Sequence, residues 1–481
     1  MNNKNQEMYF TQEVLERIIK AFFSDNFENN VKLIPFNMRP KGFNVYYRCC
    51  IYKERAILRD RIIAGLGFSI EDDNDIVELS YYTTKALERT KPNENALTVV
   101  EKACKGCVPS RVYVTDLCQG CLANSCKNAC KFDAISITNG RSRIDSIKCK
   151  NCKMCVSACP YNAIVKIAVP CEDSCPVNAI KKNEHGTAEI DYSTCISCGK
   201  CIMSCPFGAV CEKSQVIDIL KNIKEGKKVV ALIAPSIAGQ FEGSIYQLKF
   251  AIKQAGFYDV YEVASGADIT IKNEAKEFKE HIKHGMSFMT TSCCSGYNRF
   301  ISKHLPAIKS FVSQTQTPLY YTSEKVKLEL HDAITVFLSP CIAKKGEAYE
   351  NKNVDYVLNY QELAALLKVK DIKVKDCQSE NFDIESSKQA RNFGVTGGVV
   401  GAVAKALEKK DVVKPYIING LNKEVITYLK KIVKEKQCQE GNLIEIMCCQ
   451  GGCICGNATI SSPATANKRL KILLDQSQDI S

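Results

Sequence analysis

The stretch MSFMTTSCCSGYNRF, Met286–Phe300, ends an apolar run on two adjacent cysteines, Cys293 and Cys294. The run before them, MSFMTTS, reads as a buried strand. In an extended chain, successive side chains point to opposite faces, so neighbouring thiols make poor partners for one tetrahedral site. If Cys294 faces a metal, Cys293 faces something else.

Segments of the same kind recur from about residue 216 onward. KKVVALIAPS, YDVYEVAS, AITVFLSP, VDYVLN and NLIEIMCC read as strands, and GQFEGSIYQLKFAIKQAGF as an amphipathic helix ending at Gly256. Strands alternating with helices predict a mostly parallel sheet covered on both faces. Ligands of such sheets gather beyond the strand C-terminal ends. Three of those ends carry cysteines: Cys293/Cys294, Cys341 and Cys448/Cys449.

The chain has 481 residues, of which 45% are apolar, a globular composition too long for one core. No apolar run is long enough to span a bilayer. The start, MNNKNQEMYFTQE, lacks the pattern of a signal peptide, so a cytoplasmic location without a membrane partner is expected. Cysteine is the outlier, with 28 residues. Most fall in metal-ligand spacings, which makes disulfides the minor reading. The formal charge of +12 counts these thiols as neutral. Each oxidised [4Fe–4S] core on four thiolates adds about −2, so four such sites bring the chain to roughly +4. No nucleic-acid partner is inferred from so modest a balance.

Residues 1–100 read as mostly helical. TQEVLERIIKAFF has helical apolar spacing behind a Thr cap, and IYKERAILRDRIIAGLGF continues the pattern. Cys49 and Cys50 are expected as buried packing. Residues 101–211 carry a repeat: CKFDAI, CPYNAI, CPVNAI and CPFGAV begin at Cys130, Cys159, Cys175 and Cys205. These are two tandem units, each an internally doubled ferredoxin, expected at 101–165 and 166–215.

In CKNCKMCVSACP, Cys149, Cys152, Cys155 and Cys159 form the bacterial [4Fe–4S] run, whose fourth cysteine binds the other cluster of the pair. The partner run is CQGCLANSCKNAC. One cluster then uses Cys118, Cys121, Cys126 and Cys159; its neighbour uses Cys130, Cys149, Cys152 and Cys155. In the second unit, CISCGKCIMSCP is complete, and Cys175 joins Cys195, Cys198 and Cys201. Cys171 and Cys205 are left two ligands short. The upstream ACKGCV offers Cys104 and Cys107, and we expect it to fold back and complete a fourth cluster. The alternative is that this pair is structural or binds a separate metal.

The remaining cysteines lie in TSCCSGY, LSPCIAKKGE and EIMCCQGGC. These segments resemble the three signatures of [FeFe] hydrogenases, TSCCP, PCxxKxxE and ExMxCxxGC, in order behind ferredoxin modules. The resemblance covers roughly residues 101–460. The TSCCSGY variant and the lack of a long accessory tail look most like the monomeric group B branch. The fold implied is α/β and α+β multidomain: a helical region, two ferredoxin-like modules, and an α/β H-cluster domain at 216–481 with parallel sheets.

The resemblance implies an H-cluster, a [4Fe–4S] cubane bridged to a two-iron unit carrying CO, cyanide and an amine-containing dithiolate. By position, Cys294, Cys341, Cys449 and Cys453 hold the cubane, and Cys453 bridges. Cys293 becomes the thiol that passes protons to the amine. Lys344 matches the cation beside one cyanide, and Ser236 with Pro235 the contact to the other. Thr317 and Pro318 match a Ser-Pro contact, and Met447 a packing residue. Glu274, Glu277 and Ser313 match a proton path, and Glu347 the partner of the lysine. Without the resemblance, a Glu pair one turn apart reads as a solvated helix face.

Ser295 stands where Pro is usual, Tyr297 where Trp is usual, and CICGNAT replaces a triple glycine. Cys448 and Cys455 stay open as alternative ligands; His281 and His284 read as surface residues. The implied activity is 2H⁺ + 2e⁻ ⇌ H₂, with ferredoxin as electron partner and dedicated maturation proteins installing the two-iron unit. The alternatives are an H₂ sensor, a non-catalytic hydrogenase-like iron–sulfur assembly protein, and a pure electron-transfer polyferredoxin.

Overall fold

The computed structural model describes residues 3–42, 48–105, 107–108, 111–407 and 413–480. Helices at Asn3–Phe22, Phe27–Met38, Ile51–Gly65 and Leu79–Glu88 form the N-terminal region. Thr11 is not a cap: the first helix starts eight residues earlier, because Gln, Glu and Met upstream favour helix over a break. Cys49 is exposed and Cys50 half-buried at the start of the Ile51–Gly65 helix, with their sulfurs 3.8 Å apart. They do not provide the buried packing expected, because a helix start projects from the core that the later turns fill. That core joins Ile18, Ile19, Leu58 and Ile62 to apolar residues of the C-terminal region. The buried ion pair of Arg89 with Asp218 crosses the same boundary, at 2.6 Å.

Four antiparallel strand pairs build the ferredoxin modules. Arg111–Val114 pairs with Ile164–Ile167, enclosing the Ile135–Thr138/Arg141–Ile144 hairpin. The second unit repeats this plan: the Ile180–Lys182/Ala188–Ile190 hairpin is enclosed by Leu97–Val99 pairing with Val210–Glu212. The first module therefore lies inside the second, whose opening strand precedes it in the chain. Cys104 and Cys107, which a boundary at 101 groups with the first unit, are carried by this register to the second.

The repeat phrase has a backbone reason. Its fourth position, Asp133, Asn162, Asn178 and Gly208, has φ between 46° and 55° in every copy. Asn, Asp and Gly are the residues that tolerate this left-handed conformation. The turn aims the next N–H back at the leading cysteine. Ala134, Ala179 and Ala209 donate to the sulfurs of Cys130, Cys175 and Cys205 at 3.2–3.4 Å.

The C-terminal region holds two parallel sheets rather than one. The first runs in the order Asp259–Glu262, Val229–Ile233, Ile334–Ser339, Tyr356–Asn359. Val230, Leu232 and Phe337 pack on one face, and Val229, Ala231 and Val336 on the other, as a two-sided sheet requires. The second sheet runs Met289–Thr290, Leu443–Met447, Pro415–Asn419. Of the apolar run MSFMTTS only two residues pair as strand, and the last three of YDVYEVAS open a helix, Val263–Lys283. Pro415–Asn419 was not anticipated: it is a partly exposed edge strand opened by proline, with little apolar signal. The expected helix ends two residues short of Gly256 and is shortened at its start by a Ser244/Gln247 capping box, which stops it at Ile245.

Candidate active site and cluster sites

The C-terminal ends of both sheets converge on one cavity of about 900 Å³. Cys294 follows Met289–Thr290, Cys341 follows Ile334–Ser339, and Cys449 follows Leu443–Met447. Cys453 joins them from the next turn, and all four line the cavity, with Cys293. Pro235 and Ser236 reach it from the end of Val229–Ile233, and Pro318, Lys344 and Met447 complete the wall. Thr317 does not line this cavity. Its hydroxyl donates to Glu347 at 2.7 Å.

Burial pushes the thiols of Cys341 and Cys449 up, and that of Cys453 up to about 12. Cys294 is the exception. Hydrogen bonds from Cys448, whose N–H lies 3.5 Å from the sulfur, pull its thiol down to about 6. Four half-buried thiols lining one cavity can ionise together only when a cation replaces their protons. The donor set therefore fits an iron–sulfur cubane. Cys448 is buried and packs so close that a Cβ on Gly296 would lie 2.8 Å from its sulfur. Cys455 instead lines a separate cavity beside the N-terminal helices.

Lys344 supplies the fixed positive charge at this mostly apolar wall. Its ammonium donates to Glu347 at 2.5 Å and to the Cys293 carbonyl at 3.4 Å. Burial opposes the charged amine, but Glu347 outweighs it and holds the amine above its ordinary range. Ser295, in the place of the usual proline, donates its hydroxyl to Glu347 as well. Ser236 shares a 2.7 Å hydrogen bond with the buried Tyr360.

Cys293 lines the same cavity as Cys294 and, with it, packs against the cluster that holds Ala264, Ala267 and Met447. Burial pushes its thiol far up, and the carboxyls of Glu445 and Glu274 add to the shift. Glu274 is fully buried on the Val263–Lys283 helix, and its oxygens make no hydrogen bond among the described residues. Burial pushes its carboxyl up to about 7, and the Glu277 charge adds to this. Glu277, one turn on, accepts from Ser313 Oγ at 2.7 Å, from Thr315 Oγ1 at 2.7 Å and from the Gln314 N–H at 2.6 Å. Its side chain is 16% exposed, so the pair is not a solvated face. Glu445, the acid of EIMCC, caps another helix by accepting the N–H groups of Gly397, Val399 and Val400.

The ferredoxin cysteines gather in sets. Cys130, Cys149, Cys152 and Cys155 surround a cavity of about 310 Å³. Cys126, Cys130, Cys149, Cys155 and Cys159 share one small core, and Ser142 lies 3.1 Å from Cys126. Cys104, Cys107, Cys171 and Cys205 line one cavity of about 300 Å³. Lys182 pins the folded-back loop there, donating to the carbonyls of Cys104 and Cys107 at 3.3 and 3.1 Å. Burial pushes the thiol of half-buried Cys201 up, and Cys198, Cys195, Cys175 and Cys171 all add to the shift. Cys198 also lines the cavity of Cys294, Cys341, Cys449 and Cys453. Asn457 locks this junction: its amide donates to the Cys198 carbonyl at 2.7 Å, and its oxygen accepts from the Ile342 N–H.

Lys182, Tyr360 and Asn457 carried no motif that spacing alone could pick out. Asn457 does fall in CICGNAT, the segment that departs from the triple glycine, and this was its one visible signal.

The family profile described as iron only hydrogenase large subunit, C-terminal domain, matches residues 227–457. A 4Fe-4S dicluster domain matches 170–209, and a 4Fe-4S binding domain 143–165. The chain is 28% identical over 301 residues to the periplasmic [Fe] hydrogenase large subunit of Nitratidesulfovibrio vulgaris, covering 51% of this chain and 72% of that one. It is 28% identical over 302 residues to iron hydrogenase 1 of Clostridium pasteurianum, covering 51% and 52%, so it spans about half of that relative. A cytosolic Fe–S cluster assembly factor of Meyerozyma guilliermondii is 26% identical over 34% of this chain and 36% of its own length. The solved apo [FeFe]-hydrogenase of Chlamydomonas reinhardtii aligns at 19% identity and a TM-score of 0.42, over 51% of this chain and 84% of that one. The thiol sites and the matched 4Fe-4S domains define an iron–sulfur protein. The chain is an iron-only-hydrogenase-like protein with ferredoxin modules. Among the described residues no helix is long and apolar enough to cross a membrane.

Proposed function

We propose that this chain is a hydrogenase interconverting 2H⁺ + 2e⁻ and H₂, with electrons relayed through four accessory [4Fe–4S] sites to and from a ferredoxin. The observation that carries the reading is the set of proton-bearing groups beside the thiol cavity: half-buried Cys293, buried Glu274 and Ser313, and half-buried Glu277. An H-cluster held by Cys294, Cys341, Cys449 and Cys453 would supply the redox chemistry and an open coordination position.

The chain's own residues do the rest. Cys293 holds a proton at Sγ on the cavity wall. Glu274, with a carboxyl near neutrality, gains or loses a proton at working pH, as a relay group must. Ser313 bridges toward Glu277, which meets solvent. Lys344, held by Glu347, offers a fixed charge to an anionic ligand in a dry pocket. Pro235, Pro318 and Met447 exclude water. Cys198 and Asn457 bring the second ferredoxin module against the cavity.

An assembly scaffold would need neither a proton file nor a paired buried cation. The deciding experiment is an infrared spectrum of the anaerobic protein, produced with the hydrogenase maturation machinery. Sharp metal-bound CO and CN⁻ bands that shift under H₂ are expected, with turnover separating enzyme from sensor. A spectrum without them, on protein whose cubanes are fully loaded, would sink the hydrogenase reading and favour the assembly role.

A further inference from the structure

Among the cysteines in cluster spacings, Cys152 alone is exposed; the others are buried or half-buried. Its site, formed with Cys130, Cys149 and Cys155, is the one with an exposed ligand. Electron transfer falls steeply with distance, so a protein carrier does best seated on that rim.

The rim has a definite chemistry. Lys131, Lys148, Lys150 and Lys153 are exposed, and none makes an ion pair among the described residues. Two of them, Lys150 and Lys153, line the cluster cavity itself, with Phe132. Beside the lysines stand three exposed apolar side chains: Ile147 at 87% exposure, Met154 at 48% and Phe132 at 44%. Residues 111–167 carry nine basic and three acidic side chains, and stay basic after two clusters of charge about −2 are loaded. Residues 168–212 reverse this, with three lysines against six acids. Two of those three lysines, Lys182 and Lys200, are spent on backbone carbonyls.

We infer that the rim of the Cys152 site is the docking face for an acidic one-electron carrier protein. This rests on the reading of the modules as an electron relay. An apolar centre ringed by mobile charge suits a small, transient redox interface, where complementary charge sets association rate and orientation. A second copy of this chain, itself basic, is a poor occupant. In the transfer, the carrier's reduced centre loses one electron and a [4Fe–4S]²⁺ site gains it, becoming [4Fe–4S]⁺; no bond or proton moves.

The test uses the full chain loaded with accessory clusters, and an acidic plant-type [2Fe–2S] ferredoxin as probe. Binding of the oxidised probe is measured by calorimetry, and cluster reduction by the reduced probe is followed by stopped-flow absorbance. Reversal of the rim by Lys148→Glu, Lys150→Glu and Lys153→Glu together is expected to weaken binding at least ten-fold at low salt. The same reversal should flatten the salt dependence and slow reduction to match, while dithionite still reduces the clusters at the wild-type rate. Ile147→Asp should weaken binding with less effect on the salt slope. A matched reversal outside the first module, Lys181→Glu, Lys468→Glu and Lys471→Glu, should leave binding within about two-fold. Equal losses in both triple variants, or no loss in the rim triple, would overturn the assignment. So would a DNA duplex binding as tightly, with the same lysine dependence. None of these readouts needs the two-iron unit, so the face can stand or fall independently of the hydrogenase reading.

Discussion

Glu274 is a fully buried carboxyl, and its titration follows from that burial, which outweighs the opposing pull of Ser313 and the Ser292 N–H. Its proton is held up to about pH 7, so the group is protonated below that and charged above. A protonated-carboxyl infrared band is expected that fades with a midpoint near pH 7 and is absent in Glu274→Gln. A midpoint near 4.5 would show a solvated side chain. If the relay reading holds, the same substitution lowers turnover by about 10²–10⁴-fold with cluster content unchanged. The cysteine pair was legible in the sequence as a site after an apolar run, although both thiols line one cavity instead of facing apart. The environment of Glu274 was not, because a pair of acids one turn apart looks the same on a solvated face. Only the packing of Val263–Lys283 against Pro318–Glu329 and Gly398–Ala406 decides which face is buried.

At the scale of elements, the start of the Val263–Lys283 helix is tied to the Lys388–Arg391 helix by one ion pair. Arg391 donates two hydrogen bonds to Glu262, at 3.0 and 2.7 Å, with both side chains almost wholly buried. Burial still pushes the Glu262 carboxyl up, although Arg391 opposes it. Such a pair adds little over an apolar replacement of both partners, but removing one strands the other. Arg391→Leu is therefore expected to cost about 3–5 kcal/mol, read as a lower denaturation midpoint of the apo protein, while Arg391→Leu with Glu262→Met recovers most of it. If the single and double variants lose equally, packing and not the stranded charge is the cause. Strands announced themselves where both faces are buried, as in Val229–Ile233 and Ile334–Ser339. Pro415–Asn419 did not, because an edge strand is half polar and needs its partner to be recognised.

Across the whole molecule, the thiol sets range from one with the exposed Cys152 in the first module to the central cavity, which Cys198 of the second module also lines. If all five sets hold cubanes, protein made without maturation factors binds about 20 iron atoms per chain. Cys104→Ser with Cys107→Ser should then remove about 4 of them, measured by iron and sulfide analysis. Unchanged iron would mean that this pair is structural. The position of these two cysteines depends on the longest-range feature of the ferredoxin region, the pairing of Leu97–Val99 with Val210–Glu212 across the inserted first module.

The sequence by itself determined what is local. Ligand runs two residues apart, left-handed turns that only Asn, Asp or Gly enter cheaply, and apolar strands ending on cysteines are all written in short stretches. Their physics acts within a few residues. Tertiary structure alone decided which runs share a cavity, which face of a helix is dry, and how Lys182, Tyr360 and Asn457 brace sites assigned from other residues. Those outcomes depend on contacts between segments up to 259 residues apart, as in the bond from Asn457 to Cys198. No spacing rule reaches that far, because the strand register and packing that bring such segments together are properties of the folded chain.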